Sequence, residues 1–135
     1  MKKILIGFDG SEGSEQALNR AVMLLEEHGE LILLAVIPSR SDKIFVDEDI
    51  YQKLKQKAKN LIDDVKADIG KHEFIVTGMV EEGDPAIIII DIASKLNVDL
   101  IVLGSKGTSA FGQYLLGSVA NKVVQYAHKP VMVVR

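Results

Sequence analysis

Apolar residues along this chain fall into two alternating kinds of run. Short and nearly unbroken ones stand at 4–8 (ILIGF), 31–37 (LILLAVI), 74–80 (FIVTGMV), 100–104 (LIVLG) and 131–134 (VMVV). Between them, apolar residues return every three or four positions among charged ones. The first kind predicts strands, and the second predicts helices over about 14–28, 47–71, 84–96 and 118–127. Strict alternation of strand and helix implies a parallel sheet sandwiched by helices, so the fold class is α/β with a five-stranded parallel sheet and helices on both faces, Rossmann-like.

Two local signals sharpen this outline. In the second helix, Ile50, Leu54, Ala58, Leu61, Ile62, Val65 and Ile69 form one apolar stripe that is expected to face the sheet. In GDPAI, Asp84 stands where an N-cap acceptor is wanted and Pro85 where a missing N–H costs nothing, which starts the third helix.

Five parallel strands admit the orders 2-1-3-4-5 and 3-2-1-4-5. LILLAVI is apolar on both faces, as an interior strand must be, whereas FIVTGMVEE carries Thr77, Gly78 and two glutamates and suits an edge. The order 3-2-1-4-5 follows, with strands 3 and 5 outermost. The sheet then reverses direction between strands 1 and 4, and open α/β sheets bind ligands outside the carboxyl ends of strands at such a point. Asp9 closes the first strand and Gly104 the fourth.

Length and charge narrow the remaining classes. A chain of 135 residues makes one domain over 1–135 with one substantial core. Its formal charge of -3 offers no general attraction to nucleic acid or to an anionic membrane. The run KLKQKAK places Lys53 and Lys57 on one side of a helix and Lys55 and Lys59 on another, a solvated arrangement flanking the apolar stripe. There are no cysteines, which excludes disulfides and thiolate chemistry and agrees with a cytoplasmic setting. The opening MKKILIG is read as a strand, not a signal peptide, and no apolar stretch reaches the ~20 residues of a membrane span. His28, His72 and His128 share no metal-ligand spacing and receive no role.

The chemistry is concentrated in GSKGTSAFGQYLLGS, 104–118, where the fourth strand hands over to the last helix. It has neither Walker A nor dinucleotide-fingerprint spacing. Gly104 and Gly107 remove side chains where backbone amides would approach phosphate oxygens, and Gly117 and Ser118 begin a helix whose first N–H groups are unpaired. Taken alone, the residues also allow a plain turn with Ser118 as an ordinary N-cap.

The spacing Gly104, Gly107, Gly117, Ser118 resembles the nucleotide motif of the ATP-binding branch of the universal stress protein family. The resemblance extends over ILIGFDGSEGSEQAL, GDPAIIIIDIA, VDLIVLGSKG and GSVANKVVQYAHKPVMVVR, almost the whole chain. It implies that Asp9 faces the adenosine part of the ligand, that the backbone around Val36 lines the adenine pocket, and that Gly107, Gly117 and Ser118 hold phosphates. Asp9 has a second reading as the carboxylate of a strand-to-helix turn, and Val36 as simple core. Lys106 lies inside the loop, placed either to neutralise phosphate or to face solvent. The implied ligand is ATP or a close adenine nucleotide, bare or accompanied by Mg2+.

Other phosphate chemistries fit less well. A receiver domain needs an acidic cluster and a Lys after the fifth strand, whereas the first strand offers Asp9 alone and Lys129 precedes the fifth. DGSEGS does not match the loop of ATP pyrophosphatases. With no Walker lysine, no carboxylate pair for Mg2+ and no evident general base, the expectation is a binding protein that hydrolyses ATP slowly if at all. A dimeric interaction protein with an empty site, or with another ligand, is the alternative. VMVV is fully apolar yet falls at a sheet edge, which predicts a homodimer paired through Val131 to Val134.

Overall fold

The computed structural model describes residues 1–39, 47–70, 72–105 and 117–135. The apolar runs form β1 (Lys3–Gly7), β2 (Glu30–Ile37), β3 (Ile75–Glu82), β4 (Leu100–Gly104) and β5 (Val131–Val134). The periodic stretches form α1 (Glu12–Leu24), α2 (Glu48–Ile69), α3 (Pro85–Lys95) and α4 (Ser118–Tyr126). All strand pairs are parallel and the order is β3-β2-β1-β4-β5, as the apolar pattern predicts.

Alternate residues of each strand face opposite layers, so the sheet divides the core in two. One layer packs Ile4, Ile6, Leu31 and Leu33 against Ala17, Ala21, Ala58 and Ile62 of α1 and α2. The other packs Leu5, Ile32, Leu34 and Ile101 against Ala86, Ile89, Ala120 and Val123 of α3 and α4. Fully burying a Leu or Ile side chain stabilises by about 1.5–3 kcal/mol, so the central strands dominate the stability. None of the described helices is long and apolar enough to cross a membrane.

Several element ends differ from the periodicity. α1 begins at Glu12, two residues earlier than expected, because Ser11 is its cap and accepts a hydrogen bond from Ser14 N at 3.2 Å. It stops at Leu24 because the next turn is captured from outside: Glu26 N donates to Met1 O, and Glu30 N donates to Lys2 O. In α2 the stripe begins at Tyr51, which is buried, while Ile50 is 46% exposed. The Asp47 cap sets the helix phase so that Tyr51, Ala58, Ile62 and Val65 point inward. α3 starts as GDPAI predicts, with Asp84 accepting from Ile87 N at 3.1 Å and Pro85 in the first turn.

Candidate functional site

A cavity of about 240 Å³ opens at the carboxyl end of the sheet, where β1 and β4 separate. Gly7, Leu34, Val36, Leu103 and Gly104 supply its sheet wall, Pro85 and Ile89 of α3 and Val119 of α4 close one side, and Gly13 of α1 with its cap Ser11 closes another. It therefore sits at the switch point that the strand order requires. The N-terminal turns of three helices converge on it, and each brings partly positive N–H groups.

Asp9 lies two residues past the end of β1 and lines the cavity. Its Oδ1 accepts a hydrogen bond from Ser11 N at 2.9 Å. Partial burial pushes the carboxyl pKa upward, but hydrogen bonds from the side chain and backbone of Ser11 and from Ser14 outweigh it and hold the group below the usual aspartate value. Asp9 is thus a fixed anion and hydrogen-bond acceptor at the mouth, as well as a turn carboxylate. The two readings of this residue are compatible.

Val36 is the penultimate residue of β2. Phe8 N donates to Leu34 O, so the carbonyls of alternate β2 residues point towards β1. The same side of Val36 comes after β1 has ended, which turns its main chain towards the cavity.

Gly104 borders the cavity, but its principal constraint is packing. A Cβ on it would lie 2.6 Å from the carbonyl carbon and oxygen of Gly13 in the first turn of α1. Gly104 is what lets α1 bring its N-terminus against β4. The sequence motif suggested phosphate approach and gave no sign of the Gly13 partner, 91 positions away.

The start of α4 differs from that of the other helices. α1, α2 and α3 are capped by the side chains of Ser11, Asp47 and Asp84, whereas the N-cap of α4 is Gly117 and makes no side-chain cap bond. Ser118 is therefore the exposed first helical residue and not the cap. Gly117 N donates to Ser105 O at 2.8 Å, which fixes the turn and commits that amide. Beside this end, Lys122 Nζ of α4 lies 3.4 Å from Asp84 Oδ2, tying α4 to the start of α3. Asp84 is held below the usual carboxylate range by the Ile87 N–H and by Lys122. Lys106 and Gly107 lie outside the described residues.

Sequence reading missed Ser11, Gly13, Pro85 and Val119 as wall residues. Only Pro85 carried a usable signal, since it opens a helix whose start must face the carboxyl end of the sheet. The histidines stand apart from the cavity: His28 occupies a left-handed turn with φ 62°, and His72 stacks on Phe74 with ring centroids 4.9 Å apart.

Comparison with known proteins gives the family. Residues 1–135 match the universal stress protein family. The chain belongs to that family. It is 33% identical to the universal stress protein YxiE of Bacillus subtilis, with 98% of each chain covered. The structure of MJ0577, a universal stress protein of Methanocaldococcus jannaschii, superposes with a TM-score of 0.85 at 36% identity, covering 98% of this chain and 94% of that one. A universal stress protein solved in complex with cAMP superposes with a TM-score of 0.67 at 26% identity, covering 99% and 97%.

Proposed function

We propose that this universal stress protein binds an adenine nucleotide, ATP included, in the cavity between β1 and β4. The observation that carries the reading is the start of α4, the one described helix without a side-chain cap, placed at the switch point and opened by the Gly117-Ser118 pair of the motif. Unpaired N–H groups at a helix start favour a negative ligand, and phosphate oxygens satisfy them. Val36, Leu34, Leu103 and Ile89 offer the apolar walls that a purine requires, and Asp9 offers an acceptor for ligand hydroxyls. The cAMP complex of a relative supports the ligand class.

The protein acts as a regulatory binding module in stress response. It lacks the parts of a phosphoryl-transfer enzyme in its sequence: no Walker lysine and no evident base to activate water. Hydrolysis is slow, well under the roughly 1 per second of ordinary enzymes. Mg2+ accompanies ATP as the nucleotide's own counter-ion.

The working unit is a homodimer joined through β5. This strand pairs with β4 on one side only, and Met23, 75% exposed, and Leu24 flank it with further apolar surface. Joining two such edges satisfies backbone groups and buries that surface together.

Titration calorimetry with ATP, ADP, AMP and cAMP tests the ligand. Ser118→Ala is expected to weaken ATP binding by about 1–2 kcal/mol through a lost charge-assisted hydrogen bond, while leaving adenosine binding unchanged. Absence of any adenine-nucleotide binding to the wild type would refute the proposal.

A further inference from the structure

A second and larger cavity, about 830 Å³, lies on the opposite face of the sheet, between α2 and the ends of β1 and β2. Its walls are Phe8, Ala35 and Ile37 from the strands and Leu54 and Leu61 from α2. Its size and apolar lining are those of open clefts that take a small organic ligand, commonly about 300–1,000 Å³. It is separate from the nucleotide cavity, since the α3 and α4 residues that close that one are absent here.

The polar groups at the rim are arranged with a direction. Lys53 and Lys57 stand four residues apart on the same helix face and both line the cavity. Like charges at this spacing repel. Neither lysine has an ion-pair partner among the described residues. Towards the other end, Asp64 and the fixed carboxylate of Asp9 make the rim negative. Lys53 and Asp64 are eleven residues apart on α2, roughly 16 Å along the axis.

We propose that this cavity binds a small apolar organic monoanion, an alkyl or aryl carboxylate or sulfonate. Its charged end sits between Lys53 and Lys57, and its body lies along Leu54, Leu61 and Phe8. An anion between the two lysines removes their mutual repulsion, and the apolar body leaves water for a surface of its own kind. The acidic far end disfavours a second negative charge, so a dicarboxylate of equal length binds more weakly. The two cavities share the wall formed by Phe8, Asp9 and Val36, which places the anion directly behind the proposed nucleotide site.

The test uses the full chain with anilinonaphthalene sulfonate as a fluorescent probe and decanoate as competitor. A saturable fluorescence rise that decanoate reverses is expected. The pair Lys53→Glu and Lys57→Glu should weaken probe affinity roughly tenfold or more through charge reversal at the binding end. Lys55→Glu with Lys59→Glu changes the net charge equally on another side of α2 and should leave the affinity within about twofold, since those lysines do not line the cavity. Circular dichroism verifies that both variants are folded. Equal losses in the two double variants, no loss in either, no saturable probe binding to the wild type, or full displacement of the probe by ATP would each overturn the proposal. Nucleotide calorimetry is read separately, so failure here leaves the nucleotide reading intact.

Discussion

Gly104→Ala separates two roles that a motif glycine can have. A methyl group there meets three backbone atoms of Gly13: the carbonyl carbon and oxygen at 2.6 Å and Cα at 3.0 Å. Ordinary contact begins at 3.4 Å, so α1 has to withdraw by roughly 0.8 Å, and no side-chain rotation can absorb the overlap. Behind Gly13, Ala17 and Ala21 are both 0% exposed, so withdrawal loosens the α1 layer of the core. Overpacking of this kind costs about 1–3 kcal/mol. For a chain of this size that lowers the melting temperature by roughly 3–12 °C. Urea unfolding followed by circular dichroism, with ligand-free protein, measures it directly. Ser118→Ala is the comparison, because its exposed side chain leaves stability within about 0.5 kcal/mol. If Gly104→Ala melts with the wild type and only nucleotide affinity falls, the glycine serves the ligand and the packing argument is refuted.

Ile101 N donates to Pro130 O and Ser105 N donates to Val134 O, so even-numbered residues around β5 bond inward to β4. Met132→Pro should therefore damage the fold, while Val133→Pro, whose N–H points outward, should give a folded monomer; light scattering and circular dichroism distinguish the two. Asp9 contributes stability above the ordinary aspartate pKa and loses it as pH falls through its depressed folded value. Asp9→Asn should accordingly be less stable than wild type at pH 7, with the gap closing as pH falls below the ordinary aspartate range in parallel urea titrations. Asp84→Ala removes the α3 cap and the Lys122 contact and should cost about 1 kcal/mol by the same assay.

The strand order was legible because burial is asymmetric: β2 needs apolar residues on both faces and β3 does not. The start of α3 was legible because its cap and its proline are adjacent in sequence. Other deciding partners are distant in sequence. The end of α1 depends on the carbonyl of Met1, and the reason for Gly104 depends on Gly13. The exposure of Ile50 reflects a helix phase set by Asp47, which a stripe of periodic residues cannot distinguish from its neighbour. At the candidate site, Gly117 and Ser118 were read as the helix start, but which of them is the cap depends on where Ser105 holds the chain.

The carboxyl edge of the sheet is a step. Gly7, the last residue of β1, is level with Leu34, and β2 continues to Ile37, three residues further, alongside β3 to Glu82. At about 3.3 Å per residue the riser is roughly 10 Å high, comparable to the long dimension of a fused aromatic ring system. Its height comes from strand length and not from any side chain. Point substitutions can therefore retune the surface of the step without levelling it. Removing one residue from the end of β2 would lower it and exchange the two faces of everything beyond the deletion. In this protein the depth of the shelf is inherited from chain length, and drift at single positions leaves it standing.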